Sequence, residues 1–488
     1  DVDYETLPAV VNVEDAAREG APLVYEDCLG NVAAHLWYGD EKATQAAFAR
    51  AAHVVSIRLE ANRISANALE NRGSLGEYNA LDETFTLYHS SQNPHGARAM
   101  LAGDVFGIPE TRMRVVTYDV GGGFGMKSAA YPEDALVLWA SRRCGRPVKW
   151  IASRSEALLG DSHARDQVVH GELAVDATGK MLAIRAQAVQ AVGAYGTGTL
   201  APIEFSVRLI PNVYDVQAVH LVTRGIWTHT SPITSYRGAG RPEAVTLVER
   251  LLDRAAEKLG LSPVEIRRRN FIAPATMPYR TPTGHVYDGG DFAQVLERCV
   301  ALADWNGFEQ RRAASAARGR LRGRAVTFYI EVGGRMNERM ELRCDSSGTV
   351  TIVAGTHSHG QGHATTYAQL VTEWLGVPFD AIRFVQGDTD QVPFGRGSFA
   401  ARASLVGGCA LKVASDRLVE RAKPMAAYLM EAAANDIQFS QGRFSIAGTD
   451  RALPFADVVK AFYRPSLPRE IGVGLEASGT WEPEPPNY

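Results

Sequence analysis

Two stretches of this chain repeat one order of apolar and polar positions. The first runs Leu87-Tyr-His-Ser-Ser-Gln92-Asn-Pro-His95, then helical positions Ala97 to Phe106, then Gly107-Ile-Pro109 and strand positions Met113 to Val120. The second runs from Ile352 through Gly355-Thr-His-Ser-His-Gly-Gln361-Gly-His363, then helical positions Thr365 to Leu375, then Gly376-Val-Pro378 and the run Ala381 to Gln386. Gln92 and Gln361 each stand 15 positions before the matching glycine, so loop register and helix length are both kept. The switch from alternation to helical spacing predicts a strand, a loop, a helix and a second strand in each copy. Each copy would place an amide side chain near a helix N-terminus, whose unpaired N–H groups suit a polar or phosphorylated ligand.

The same reading extends along the chain. Helical turns are expected near Glu14 to Glu19 and Glu41 to Ala51, and a strand-rich stretch begins at His53 with Val55, Ile57 and Leu59 alternating. A helix from Pro132 to Arg143 carries proline and acids in its first turn. Val168 to Val175 and Met181 to Val192 read as strands joined by a turn at Asp176 to Gly179, with a further strand at Val213 to Val222. Ala244 to Lys258 is amphipathic and stops at Gly260, and the proline-rich residues 274 to 284 read as a linker. Beyond it come a helix around Phe292 to Leu302, strands at Ala325 to Val332 and Glu338 to Cys344, a turn at Asp345 to Gly348, and a helix from Gly408 to Lys423. Helices and strands alternate throughout, which points to a mixed α/β or α+β protein, and the expected class is α+β. The expected organisation is the tail of an N-terminal α/β domain (1–45), a first ligand-binding domain (46–285) and a second (286–488).

Composition narrows function by exclusion. With 488 residues, 22% of them charged, and a net charge of −4, nothing points to nucleic acid. No apolar run reaches the roughly 20 residues that span a bilayer, and the start lacks a basic-then-apolar leader, so a cytoplasmic setting is expected. Cys28, Cys144, Cys299, Cys344 and Cys409 are scattered without a C-x-x-C pair, so they form neither a disulfide framework nor an iron–sulfur or zinc site.

Three loops carry candidate chemistry. Gly121-Gly-Gly-Phe-Gly-Met-Lys127 lies between a strand and a helix, but Met126 breaks both the Walker A and the dinucleotide fingerprints. His357, His359 and His363 have a spacing that would serve a zinc hydrolase, although glycines separate them and no acid lies close in sequence. Phe394-Gly-Arg-Gly-Ser-Phe-Ala-Ala-Arg-Ala-Ser404 has the glycines, hydroxyls and arginines of a phosphate-binding loop.

In combination, Ser91-Gln-Asn-Pro-His95, Gly121 to Gly125, Tyr236-Arg-Gly-Ala-Gly-Arg-Pro-Glu-Ala244, Gly360-Gln-Gly-His363 and Gly387-Asp-Thr-Asp390 resemble, in order, motifs of the molybdenum hydroxylases. The match is to the large, molybdopterin-binding subunit of xanthine dehydrogenases, aldehyde oxidases and carbon monoxide dehydrogenases. The resemblance implies that Gln92 hydrogen-bonds an oxygen ligand of molybdenum and that Gly123, Phe124 and Gly125 lie against the cofactor. It places Arg237 beside the metal, gives the pterin contact to Gly360 and Gln361, and assigns the cofactor phosphates to Ala401, Arg402, Ala403 and Ser404. It implies no protein ligand to the metal, since the pterin dithiolene holds it. The cofactor would be molybdenum-molybdopterin in its cytosine dinucleotide form. Partners would be a 2Fe–2S small subunit and an FAD-binding medium subunit, in a dimer of heterotrimers. The reaction implied is hydroxylation of an aldehyde or N-heterocycle with oxygen from water, a glutamate serving as general base.

Departures from that pattern shape the expectation. Gly238 stands where copper-containing carbon monoxide dehydrogenases have cysteine, Ser128 where xanthine enzymes have an acid, and Ala239 where an aromatic ring packs on purine. The family's base glutamate lies beyond the segment matched by Gly474 to Gly479, so the chain alone is expected to be truncated at both ends and inactive. The alternatives are a metallohydrolase built on His357, His359 and His363, or a non-catalytic fragment that only binds cofactor.

Overall fold

A computed structural model describes residues 2–488 apart from Thr197, Thr199 and Asn487. The chain forms two compact units, each assembled from non-adjacent stretches. One comprises the residues up to Ala66, Leu158–Glu331 and Pro485–Tyr488, and the other comprises Asn67–Ala157 and Val332–Glu484.

The first unit is built on a five-stranded sheet in the order Val32–Gly39, Ala218–Trp227, Met181–Gly193, Gln167–Val175, His53–Ala61. The turn after Gln167–Val175 forms as expected, because the Asp176 carboxylate accepts from the Thr178 and Lys180 N–H groups. The helix Arg241–Leu259 carries Pro242 in its first turn and ends at Gly260 in the left-handed region. Its stripe of Ala244, Leu247, Val248, Leu251, Leu252 and Ala255 packs on Leu173, Ile184 and Val219. Each buried leucine contributes roughly 1.5–3 kcal/mol. At Gly171 a Cβ would meet the Leu247 methyls at 2.7 Å, so glycine lets the helix lie close to the sheet.

Several expectations are corrected in this unit. The strand expected at Val213 to Val222 begins instead at Ala218, because Val213 and Asp215 spend backbone hydrogen bonds on Ile272 and Asn270. Residues 274–284 are not a solvent linker: Tyr279–Arg280 pairs with Val286–Tyr287, and the buried Tyr287 hydroxyl donates to the Asn212 carbonyl. Ala325 to Val332 has the alternation of a strand, with Val326, Phe328 and Ile330 against the core, but it pairs with no other strand among the described residues. The edge strand Val32–Gly39 was not anticipated, its alternation being too weakly apolar to register.

The second unit holds both copies of the repeat. In the first copy β1 (Gly73–Asn79) and β2 (Thr84–His89) form a hairpin, α1 (Pro94–Ala99) follows the Gln92 loop, and β3 (Met113–Val116) lies parallel to β2. Then α2 (Pro132–Cys144) leads to β4 (Val148–Ile151), antiparallel to β1. The second copy repeats this with β5 (Glu338–Cys344), β6 (Val350–Ala354), α3 (His363–Leu375), β7 (Ile382–Val385), α4 (Gly408–Met430) and β8 (Glu476–Trp481). The sheet orders are β3-β2-β1-β4 and β7-β6-β5-β8, with the same parallel and antiparallel pairings. The duplication therefore extends through a second loop and helix in each copy, beyond the stretch legible in the sequence.

Local chemistry explains the boundaries. Asn93 caps α1 by accepting from the Gly96 N–H, with Pro94 at the first turn, so the helix starts earlier than Ala97. From Met100 to Phe106 the helix widens to a π-turn and stops at Gly107 in the left-handed region. β3 ends at Val116 because Thr117 donates to the Gly387 carbonyl and Thr389 to the Val115 carbonyl, joining the two copies edge to edge.

Candidate cofactor-binding site

Gln92 is buried at the centre of the second unit and tied to both glycine loops. Its Oε1 accepts from the Gly125 N–H at 2.7 Å, and its Nε2 donates to the Ser398 carbonyl at 3.2 Å. Its own N–H donates to the Lys127 carbonyl at 2.9 Å, and its carbonyl accepts from the Ser398 N–H at 3.2 Å. A side chain at Gly123 would run into the Gln92 amide, so glycine is required there for the loop to close over it.

The Gly121 to Gly125 loop is shaped by positive φ at Gly122, Phe124 and Gly125. Phe124 is exposed, while Met126 and Lys127 are buried. Lys127 Nζ reaches the Glu70 carboxylate at 2.8 Å and the Glu70 carbonyl at 3.0 Å, and the same carboxylate accepts from the Gly121 N–H at 2.8 Å. The lysine thus anchors the loop from beneath and leaves Phe124 on the outside.

In the second copy Gln361 is exposed, between Gly360 and Gly362, both with positive φ and open space around them. Its Oε1 accepts from the His359 N–H at 2.6 Å, and its Nε2 lies 3.0 Å from the His359 ring. The two glutamines are therefore equivalent in register and opposite in state, one locked between loops and one available at the surface. His357 is buried with Nε2 on the Thr117 carbonyl at 3.3 Å, and its Nδ1 has no partner. His363 is the first residue of α3, with Nδ1 also unpartnered. Burial pushes both rings down to about 4, so they are neutral near pH 7. Among the described residues no group of three or more His, Cys, Asp or Glu side chains is arranged to hold a metal ion, these three histidines included.

The loop from Phe394 to Ser404 runs back along the first copy. Ser398 Oγ accepts from the His357 N–H at 3.1 Å. Ala401 and Ser404 are exposed, Ala403 is half-buried, and Ala400 and Ala401 both have positive φ. Arg402 is fully buried and bound to Glu338, Gly397, Arg335 and Asn337, so its guanidinium is committed within the protein.

Arg237 belongs to the other unit, on the exposed loop between Tyr236 and Gly240. Its guanidinium makes no hydrogen bond or ion pair among the described residues, and it borders a groove of about 960 Å³ lined also by Arg241, Tyr329 and Glu331. Arg165 holds the loop by donating to the Arg237 carbonyl at 2.8 Å while pairing with the buried Glu243 at 3.1 Å. Burial raises the Glu243 carboxyl above its usual range, with Arg165 working against it.

Sequence reasoning picked out Gln92, the glycine loop, Gln361 and the Ser398 stretch, all of which fold into one unit. It missed Glu70 and Glu338, whose only signal is charge, and it read Lys127 only as the end of the glycine loop, not as its anchor. The residues fit a large polar, phosphorylated group. Gln361 and Ser404 offer an exposed amide and hydroxyl, Gly360 and Gly362 leave backbone accessible beside the N-terminus of α3, and buried His363 keeps a ring nitrogen unpartnered.

The molybdopterin cofactor-binding domain family matches residues 24–271 and 298–488 in two consecutive domains. The chain belongs to this family. It is 33% identical to the carbon monoxide dehydrogenase large chain of Hydrogenophaga pseudoflava, covering 100% of this chain and 64% of that one. It is 32% identical to the nicotine 6-hydroxylase large subunit of Paenarthrobacter nicotinovorans, over 91% of this chain and 56% of that one. Its fold matches quinoline 2-oxidoreductase from Pseudomonas putida 86 with a TM-score of 0.92 at 35% identity, covering 99% of this chain and 64% of that one. The chain thus spans less than two thirds of the length of these relatives. No helix among the described residues is long and apolar enough to cross a membrane.

Proposed function

We propose that this chain supplies the molybdopterin-binding part of an oxidoreductase that hydroxylates an aldehyde or N-heterocycle with oxygen from water. The observation that carries the reading is the pairing of a locked glutamine, Gln92, with an available one, Gln361, on two copies of one fold. When bound, the molybdenum–pterin group supplies the two-electron chemistry and activates water. The cytosine dinucleotide form is carried over from the resemblance, and the exposed Ala401 and Ser404 leave room for phosphates. A 2Fe–2S subunit, an FAD subunit, their assembly as a dimer of heterotrimers and a cytoplasmic location complete the proposal. The sequence domains 1–45, 46–285 and 286–488 belong to it as well.

The chain's own residues act by position. Gln92 presents its amide edge in one fixed orientation because both of its polar atoms are held. Gln361 would orient the pterin by amide hydrogen bonds and Phe124 would cover it; Arg237, on the other unit, is proposed as a cation toward a developing anion. Carbon monoxide is disfavoured as substrate by Gly238. There φ is +102° and a Cβ would meet Pro242 at 2.6 Å, so the loop as folded does not admit cysteine.

The test is a substrate panel of aldehydes and N-heterocycles with an artificial electron acceptor in ¹⁸O-labelled water, run on the assembled enzyme. Labelled hydroxylated product supports the reading, and hydrolysis products without redox turnover would replace it by a hydrolase.

A further inference from the structure

We propose that the buried pair Glu338–Arg402 is a positioning device that holds the Phe394 to Ser404 loop in the shape on which cofactor retention depends, Arg402 acting without touching the cofactor. The inference rests on the cofactor reading above and goes beyond it. It removes Arg402 from the phosphate contacts and gives it and Glu338 a different task.

The geometry is specific. Both side chains are fully buried, with Arg402 Nη1 2.7 Å from Glu338 Oε2. Nη1 also donates to the Gly397 carbonyl at 2.8 Å, Nη2 to the Asn337 carbonyl at 2.7 Å and Nε to the Arg335 carbonyl at 3.2 Å. The guanidinium therefore ties the loop at Gly397 to the segment entering β5. A second arginine of the loop repeats the tether from the other end, Arg396 Nε donating to Asn337 Oδ1 at 2.9 Å. The Glu338 carboxylate also accepts from the Arg339 N–H at 3.0 Å and from the backbone of Arg396, so it closes the clamp on both sides. All three guanidinium nitrogens of Arg402 are engaged within the protein. Only a planar fork with several donors can satisfy a carboxylate and three carbonyls at once, which lysine cannot do.

What the clamp holds in place is the functional edge of the loop. Between its two tethers lies Ser398, whose backbone meets Gln92 in both directions and whose hydroxyl meets His357. Next to it stand Ala400 and Ala401, in the left-handed region that alanine rarely adopts and that surrounding contacts must enforce. Releasing the clamp lets these residues relax, and with them the exposed backbone offered to phosphates.

A direct charge contact and a positioning role predict opposite results for Glu338→Gln. If Arg402 bound a phosphate, removing the competing carboxylate would free it and tighten retention. If it positions the loop, the loss of the carboxylate loosens the loop and retention falls. The experiment compares the full chain with Glu338→Gln, Arg402→Lys and Arg396→Met, produced in a host that makes molybdopterin. Two measurements are made on each: hydrogen exchange of the Phe394 to Ser404 amides in the cofactor-free protein, and pterin released per chain by oxidation and fluorescence.

The expected result is at least tenfold faster exchange in Glu338→Gln and Arg402→Lys, a smaller increase in Arg396→Met, and pterin content falling several-fold in the same order. Unchanged exchange, or faster exchange with pterin content kept or raised in Glu338→Gln, overturns the proposal. Should Arg402→Lys fail to fold, the isosteric Glu338→Gln and the half-exposed Arg396→Met carry the same comparison. Absence of pterin from the unsubstituted chain is a separate outcome. It overturns the cofactor reading, and the proposal with it, before any variant is compared.

Discussion

Arg114 and Asp388, 274 residues apart, meet in a two-pronged ion pair, Nε on Oδ1 at 3.0 Å and Nη2 on Oδ2 at 2.7 Å. One lies on β3 of the first copy and the other just beyond β7 of the second, where Val116 and Asp388 bridge the two backbones. Burial opposes ionisation of Asp388, but the bonds from Arg114, Gln391 and the Asp390 N–H prevail and hold its carboxyl below the usual range. The duplicated units are thus joined by charge as well as by backbone pairing.

Arg114→Met leaves the buried Asp388 carboxylate with fewer partners, and because Arg114 is half-exposed and Gln391 and the Asp390 N–H still donate, a cost of about 1–2 kcal/mol follows. Chemical denaturation checks this. The double variant Arg114→Met with Asp388→Leu should recover part of the loss, because both charges are then gone.

Gln92→Ala and Gln361→Ala should separate stability from binding. Gln92→Ala strips the Gly125 N–H and the Ser398 carbonyl of partners in the interior, which costs roughly 1–3 kcal/mol per orphaned group before relaxation. Gln361→Ala removes only a surface contact with His359, so its melting temperature should stay within about a degree, while its pterin content falls more than that of Gln92→Ala. Equal pterin content in the two variants would contradict the assigned roles.

Phe124 and Met126 divide in the same way. Met126 is 3% exposed and Phe124 is 40% exposed. Met126→Ala should therefore lose about 2–4 kcal/mol of stability by leaving a cavity. Phe124→Ala should leave stability nearly unchanged and reduce cofactor retention, measured as molybdenum per chain after gel filtration.

Acid should destabilise the second unit through His357 and His363. Their folded pKa values, lowered to about 4 by burial, lie below the usual unfolded value of about 6.5. Between those values the unfolded chain binds protons that the folded one does not, so this stability is present above about pH 6.5 and is lost as pH falls toward 4. Over the step from pH 6.5 to 5 each ring should cost about 1–2 kcal/mol. Glu338, raised by burial against the pull of Arg402, acts in the opposite sense at the acid end. Replacing His363 by Asn should flatten the melting-temperature profile between pH 7 and 5. An unchanged slope would show that the ring does not stay neutral on folding.

Much of the candidate site was legible because loops carry local signals. Gln92 and Gln361 stood out by shared register, and the glycines by their density between a strand and a helix. The equality of the two sheets was only half legible, because β4 and β8 join their copies across long separations that periodicity does not encode. Ala325 to Val332 shows the reverse error, since alternation reports which side chains face the core and says nothing about whether the backbone finds a partner. Arg402 was read as a phosphate ligand from its place in a glycine- and hydroxyl-rich loop. Only the fold places Glu338, 64 residues earlier, where it takes up that charge.

The most direct measurement is the molybdenum, zinc and pterin content of the unsubstituted chain purified from a molybdopterin-producing host. The account predicts pterin and molybdenum together, approaching one of each per chain, with no stoichiometric zinc. Zinc held at one per chain without pterin fluorescence, or neither metal nor pterin, would contradict it.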